Sequence, residues 1–563
     1  MKVTANVLMN YIRCRRYASL NDPNVEYISD EFEITSKNVF REYLDLFAKL
    51  YLDTEYQDKN MTLTYDFHNL VTLSENYHFI KENEGKRDIY ILLPSTSREY
   101  LETKYKCENH QYRMFTKNRL GIYEVNKKDV SSDSSNFDEK VKKLTKRTED
   151  IGRITYNYAF RRYLYDIVNP NNNDQIYFVL LNHEYVHDGK EYTKQLFSVF
   201  NLSGLYEYYN DLLEADIYRM INHLELNDFT PCNLIRKECR KGENFQCKFV
   251  DFCFSHIPKE NSILSYFHSN TGFTEPKETG DIHHDTYSLI NEGKVDMLDI
   301  PISWLKDEKH LMQRYCIEND YVHIDKPKIE AILKTLKYPL IYLDFEALPC
   351  LLPRYFGEKP YTQSVFQYSI HIEHKEGSLE LNDKNHYEFL ANPEYDNRRE
   401  LVVSMISLIN KYDSSVVVYH KTFEEQRLKE FQTIFPEYKE ELQKIIDRLF
   451  DLIDVVKNNK RFYKMNGFKE KASSRYNFYS PILNGSYSLK KVIKVFAKDA
   501  YNDLEIKNGE EAYKVFMNLS NFDQIDKENH IQNLLEYCKQ DTYAMFQIIQ
   551  GLKKYLSPSF HIT

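Results

Sequence analysis

From Pro327 onward the apolar positions change their period repeatedly, and each change predicts an element. PKIEAILKTLK (327–337) repeats at three and four and predicts a helix. LIYLDFEALP (340–349) is a nearly continuous apolar run and predicts a buried strand. SVFQYSIHI (364–372) alternates with period two and predicts a second strand. RRELVVSMISLINK (398–411) predicts a helix, SVVVY (415–419) a β-branched strand, and another helix opens near Phe423. A long stripe from about Glu528 to Leu552 predicts the last helix. Strands alternating with helices define an α/β domain over residues 326–563.

Upstream the pattern is less regular. Residues 201–231 read as helical, and the polar, Ser/Asp-rich stretch Lys127–Lys140 reads as a loop. QIYFVLLNHEYVHDG (175–189) is β-rich and closed by Asp-Gly. The expected organisation is a first domain over 1–260, a connecting region over 261–325, and the C-terminal α/β domain. A chain of 563 residues exceeds one hydrophobic core.

Two positions disturb the strand at 340–349. Asp344 and Glu346 are two apart, so both point to one face. A buried carboxylate is costly unless paired, protonated or bound to a cation. An edge strand with solvated acids is the plain alternative. Two further features weigh against it. Glu424 follows a buried strand at the opening of a helix, and Tyr537 and Asp541 share a helix face at i, i+4. Ile531, Leu534, Leu535, Cys538, Met545 and Ile549 form the apolar stripe beside them. Four acids converging in a cleft suit two divalent cations, and hard oxygen donors select Mg²⁺ or Mn²⁺.

These motifs resemble those of DEDD 3'-5' exonucleases, which have a ribonuclease-H-like fold. LDFEALP is similar to their first motif, YHKTFE to the second (HNxxFD), and YCKQD to the tyrosine form of the third (YxxxD). The resemblance implies Asp344, Glu346, Glu424 and Asp541 as metal ligands and Tyr537 as the group orienting the attacking water. Glu424 departs from the usual Asp. KYPLIYLDFEALP, EKPY, VFQYSIH, FLANPEYDNRREL and GSYSLKKV further resemble a bacterial family described only as a domain of unknown function. That resemblance covers most of residues 326–555 and places the exonuclease-like domain C-terminally.

The net charge of −10 excludes a polybasic molecule, so any nucleic-acid contact must be local. Lys457–Tyr476 interleaves cations with Phe462, Tyr463, Phe468 and Tyr476. Lys460, Arg461, Phe462, Tyr463 and Lys464 are expected to meet a single strand of DNA or RNA, cations on phosphates and rings on bases. A solvated loop with anchoring aromatics is the alternative. In GSYSLKKV, Ser486 or Ser488 is expected to cap a helix, and Lys490 and Lys491 to meet phosphate. No apolar run approaches the ~18 residues of a membrane span. The N-terminus lacks a secretory apolar region, so the expectation is a cytoplasmic protein without a membrane partner.

Nine cysteines are an odd number, and Cys232, Cys239, Cys247 and Cys253 crowd one stretch. YIRCRRY around Cys14 together with C-x7-C-x5-C at Cys239, Cys247 and Cys253 resembles PD-(D/E)XK nucleases that carry a [4Fe-4S] cluster. The resemblance implies an N-terminal PD-(D/E)XK-like α/β domain stapled by those four cysteines. Zn²⁺, with Cys232 as a ligand, and plain burial are the alternatives. Such nucleases need an acid and then E-x-K on strands. LGIYEVNKK offers Glu124, but Asn126 occupies the Lys position and Lys127 points to the other face. QYRMF (111–115) lacks the expected acid, and Arg161 stands where relatives often have Gln. The expectation is an inactive domain that binds nucleic acid or a protein partner. His183 and His187 have H-E-x-x-H spacing, but a strand would hold them about 13 Å apart, too far for one zinc ion. His283–Asp285 reads as a loop.

The combined expectation is a metal-dependent 3'-5' exonuclease on single-stranded ends. Two readings compete with it: a non-catalytic binding module with both nuclease sites vestigial, and an inverted assignment in which Glu124 remains active.

Overall fold

The computed structural model describes residues 1–16, 31–54, 61–83, 85–128, 135–226, 234–239, 247, 249–381 and 384–557. They form two compact units, each discontinuous in sequence. The first comprises Met1–Cys232, Cys247–Phe249 and Cys350–Thr362; the second comprises Asn233–Gln246, Val250–Pro349 and Gln363–Thr563.

The first unit is built on a six-stranded mixed sheet of β1 (Phe79–Asn83), β2 (Lys86–Thr96), β3 (Phe115–Lys117), β4 (Tyr123–Val125), β5 (Gln175–Leu181) and β6 (Phe197–Asn201). The spatial order is β1-β2-β5-β6-β4-β3. The β2–β5 and β6–β4 pairs are parallel and the rest antiparallel. Ile176 to Leu181 of β5 are all buried, as a central strand covered on both faces requires. Helices α1 (Asp150–Val168) and α2 (Asn210–Glu225) pack through Tyr156, Phe160, Leu213 and Ile217. The predicted loop over 127–140 is in part helical: a helix begins at Phe137, whose ring, with Val141 and Leu144, turns inward.

The segment Cys350–Thr362 completes this unit. Leu352 is buried in its core. The backbones of His187 and the segment exchange bonds, His187 N–H to Glu358 C=O and Gly357 N–H to His187 C=O, both 2.8 Å. Tyr192 donates to Pro353 C=O at 2.8 Å and Tyr361 to Pro94 C=O at 2.6 Å.

The second unit is built on a five-stranded mixed sheet of β7 (Leu340–Pro349), β8 (Gln363–Glu373), β9 (His386–Leu390), β10 (Val416–Val418) and β11 (Leu449–Asp451). The order is β9-β8-β7-β10-β11. β9–β8 and β8–β7 are antiparallel, and β7–β10 and β10–β11 are parallel. Around it lie α3 (Arg398–Ile409), α4 (Lys421–Ile434), α5 (Leu489–Phe496), α6 (Gly509–Asn518) and α7 (Gln524–Leu556). α3 and α4 cover one face through Leu401, Met405, Leu428 and Phe431.

The period-two alternation of β8 separates two faces correctly, but its polar face is not solvated. Every β8 residue after Gln363 is buried. Gln367 donates to Leu534 C=O of α7 at 2.9 Å, and Ser369 and His371 reach the Thr542 hydroxyl at 2.9 and 2.7 Å. Hydrogen-bonded polar groups therefore lock α7 onto the sheet where apolar contacts would let it slide. Residues 261–325 belong to this unit. His283 and His284 lie on a strand rather than in a loop: Ile282–His284 pairs with Phe273–Glu275, and His284 stacks on Trp304 with 4.4 Å between ring centroids.

Candidate functional site

β7 pairs with the three-residue β10 only through Ile341 and Tyr342, so its acids continue past the end of β10. Beyond that end the chain turns through Tyr419 and His420 into α4. His420 adopts a left-handed conformation, φ 64°. Asp451, closing β11, accepts from the N–H groups of His420, Lys421 and Ile453 at 3.1, 3.0 and 3.1 Å. That clamp fixes the first turn of α4, which carries Glu424. The carboxyl ends of parallel strands at a change of strand direction are a recurrent place for ligand sites. β8 bulges opposite Glu346, where Phe366 is the extra residue between the partners Gln367 and Val365. A bulge re-aims the adjacent side chain.

α7 supplies the facing side. Tyr537, Cys538 and Asp541 are buried on it together. Asp344, Glu346 and Cys538 place one ligating atom each within 4.8 Å of one another, the one such set among the described residues. The Cys538 thiol donates to Asp344 Oδ2 at 3.6 Å. Glu424 and Asp541 stand outside this set and act on it through their charges. Tyr501 donates to Asp541 Oδ1, and Tyr537 lies beside the same carboxylate. Lys490, in the first turn of α5, donates to the Tyr537 hydroxyl at 2.9 Å. A Cβ added at Gly509 would lie 3.3 Å from Glu346 Oε2, so the start of α6 roofs that carboxylate closely.

The electrostatics are those of acids held together at a cost. Burial, then repulsion from Asp541, raises Asp344 far above the carboxylate range. Burial, then Asp344 and Asp541, does the same to Glu346. Burial, then Asp344, pushes Glu424 up to about 9. Asp541 is raised by burial only to about 6, because the Tyr501 hydrogen bond and the Lys490 charge favour its ionised form. Glu424 is 2% exposed, and its Oε2 has no hydrogen-bond partner. An orphaned buried carboxylate oxygen facing other carboxylates fits a divalent cation, which would satisfy the oxygen and relieve the repulsion.

The structure thus gathers Asp344, Glu346, Glu424, Tyr537 and Asp541 in one place. Sequence reasoning missed three participants. Cys538 was assigned only to the apolar stripe, Tyr501 carries no motif, and Lys490 was expected at phosphate rather than on Tyr537. Lys491, its neighbour, is half-buried.

The basic stretch forms two short helices, Lys460–Met465 and Glu470–Ser474. Tyr463 is fully buried and bonded to Asn477, so its ring offers no surface to a base. Phe462, Phe468 and Tyr476 pack against the unit's core. Lys460 and Lys464 both pair with Glu470, and Arg461 is exposed. Ser488 occupies the N-cap of α5 without a capping bond from its side chain.

In the first unit Glu124 is exposed on β4 and accepts from Asn118 at 2.9 Å. Asn126 donates to Arg113 C=O, and Lys127 lies over the Phe137 ring. Arg161 pairs with the buried Glu75 at 2.7 Å. The H-E-x-x-H segment is neither helix nor strand: β5 ends at Leu181, and His183 and His187 follow in turn and irregular backbone. His183 lies 3.3 Å from Ser97 Oγ, and His187 accepts from Gly189 N–H. Cys14 caps the helix Ala5–Arg13 and belongs with Cys247 to the first unit; Cys239 and Cys253 belong to the second. Cys232 lies outside the described residues.

Residues 341–488 match the model of a family described as "Domain of unknown function (DUF2779)". Similar curated proteins are all bacterial and uncharacterized. They include MG366 of Mycoplasma genitalium, 28% identical over 242 residues, covering 39% of this chain and 33% of that protein. UU173 of Ureaplasma parvum is 25% identical over 256 residues, covering 42% and 34%. The MG366 homolog of Mycoplasma pneumoniae is 25% identical, covering 48% and 40%. The chain therefore spans a third to two fifths of the length of these relatives. No solved structure matches. No described helix is long and apolar enough to cross a membrane.

Proposed function

We propose that the second unit is a metal-dependent 3'-5' exonuclease acting on single-stranded DNA or RNA ends. The observation that carries this reading is the buried, unpartnered Glu424 oxygen beside Asp344 and Glu346. A purely structural cluster would have lost that charge to a neutral side chain, because burying it costs stability without return. Asp344, Glu346, Glu424 and Asp541 would hold two Mg²⁺ or Mn²⁺ ions. Such ions, when bound, supply Lewis acidity and charge neutralisation at a phosphodiester. Asp541 is kept ionised by Tyr501, and the Tyr537 hydroxyl orients the attacking water. The first unit acts as a nucleic-acid or protein-binding clamp. The four cysteines expected to hold a [4Fe-4S] cluster, Cys14, Cys239, Cys247 and Cys253, are divided between the two units and do not gather as a ligand set among the described residues.

The test uses 3'- and 5'-labelled single strands with Mn²⁺. Wild type should shorten strands from the 3' end, and Asp344→Ala should not. Activity that survives Asp344→Ala but is lost in Glu124→Ala assigns cleavage to the first unit instead. Absence of hydrolysis of both DNA and RNA by wild type refutes the exonuclease reading.

A further inference from the structure

Lys490 opens α5 from an unremarkable GSYSLKKV context, and a lysine in the first turn of a helix ordinarily reads as a phosphate ligand. Its contacts point elsewhere. The ammonium donates to the Tyr537 hydroxyl at 2.9 Å and to the Lys507 carbonyl. It lies over two aromatic faces, 4.6 Å from the Tyr537 ring centroid and 5.4 Å from that of Tyr501. Tyr501 in turn donates to Asp541 Oδ1, and Tyr537, one helical turn before Asp541 on α7, lies beside the same carboxylate. The four side chains close a ring of contacts: ammonium, first tyrosine, carboxylate, second tyrosine.

The ring has a direction. An ammonium has three donors and no acceptor, so the Tyr537 oxygen must accept from Lys490. Its own proton is then directed away from Lys490. A carboxylate accepts only, so Tyr501 must donate to it. The hydroxyls of both tyrosines thus have fixed orientations, one imposed by the cation and one by the anion. Cation–π contact with both rings adds attraction that does not depend on substrate.

We infer that Lys490 is a positioning residue that fixes the Tyr537 hydroxyl, and that Tyr501 is a second tyrosine orienting Asp541; Lys490 is not a phosphate contact. The inference rests on the exonuclease reading for its catalytic meaning, while the ring itself is a structural claim that stands or falls separately.

The two roles for Lys490 separate experimentally. A phosphate contact contributes to binding: its loss raises KM, leaves kcat, and lowers the salt dependence of oligonucleotide binding by about one counterion. A positioning residue contributes to the transition state: its loss lowers kcat with KM and salt slope unchanged. Lys490→Met in the full chain is expected to lower kcat on the order of tenfold, the value of one well-placed hydrogen bond. Lys490→Met combined with Tyr537→Phe is expected to be no worse than Tyr537→Phe alone, because both remove one function. Tyr501→Phe is expected to lower kcat similarly.

A readout independent of turnover is the single ¹⁹F resonance of 3-fluorotyrosine placed at position 537. It should shift in Lys490→Met and stay in place in Lys491→Met. An unmoved resonance in Lys490→Met overturns the inference. So does a raised KM with a reduced salt slope and effects additive with Tyr537→Phe. If wild type hydrolyses no strand but the resonance shifts, the exonuclease reading fails and the ring stands.

Discussion

Replacing Glu424 by Gln should stabilise the metal-free protein, and by an amount that depends on pH in a defined way. Unfolded, the carboxyl titrates near its ordinary 4.5; folded, it is held at about 9. Between those values the folded chain binds the extra proton, so stability falls as pH rises from 4.5 to 9. Each unit is worth about 1.36 kcal/mol, so at pH 7 the penalty is about 3 kcal/mol and at pH 5 under 1 kcal/mol. Gln carries no such penalty, although an amide left without partners gives back about 1 kcal/mol or more. Urea unfolding with chelator present should show wild type and Glu424→Gln near equal at pH 5. The variant should pull ahead by about 1–2 kcal/mol at pH 7 and further at pH 8. Adding Mn²⁺ should reverse the order, because a ligand that binds only the folded state stabilises it by mass action and Gln is a poorer cation ligand. A difference that stays flat between pH 5 and 8, or a variant that gains as much from Mn²⁺ as wild type, refutes the assignment of Glu424.

Gly509→Ala should lower the proposed exonuclease activity severalfold with little change in the urea midpoint, since the new methyl meets only the Glu346 carboxylate at 3.3 Å. Lys328, fully buried, donates to Asn458 and to the carbonyls of Ala472 and Arg475; Lys328→Met should cost about 2 kcal/mol by calorimetric or urea unfolding, because those acceptors lose their donor. Below pH 6.5 the first unit should lose stability as His78, lowered by burial to about 4 while accepting from Leu92 N–H, binds a proton on unfolding. The loss should approach about 2 kcal/mol by pH 4, allowing for its partial exposure, and His78→Asn should flatten that slope.

The five residues most exposed to sequence reasoning were legible because each obeys a local rule. Asp344 and Glu346 interrupt an apolar run at strand spacing, Glu424 opens a helix behind a β-branched strand, and Tyr537 and Asp541 share a helix turn. Tyr501 obeys none. It is one of 47 tyrosines, and only the folded chain brings it to Asp541 from 40 residues away. Lys490 shows how one local rule leaves a contact unseen: a cation in a first helical turn has a common use at phosphate, and its hydrogen-bond partner Tyr537 lies 47 residues on. Residues 457–476 show the limit of composition. Cations and rings in alternation suit a nucleic-acid groove, but the same rings suit a core, and Tyr463 is packed beneath Lys328, 4.5 Å from its ammonium. The H-E-x-x-H segment failed differently: its β character is real up to Leu181 and stops there, because the next residues turn.

The short arm Cys350–Thr362 has a consequence for how the chain must be made and cut. It leaves β7, completes the core of the first unit with Leu352, and returns as β8. The first unit therefore lacks part of its core until the ribosome has passed Thr362, well over a hundred residues after α2 is complete. No single cleavage point yields two whole halves. A fragment starting at residue 326 would expose the apolar Leu351 and Leu352, and one ending there would lack them. Two co-expressed polypeptides would complete the first unit only if the second lent it this arm in trans.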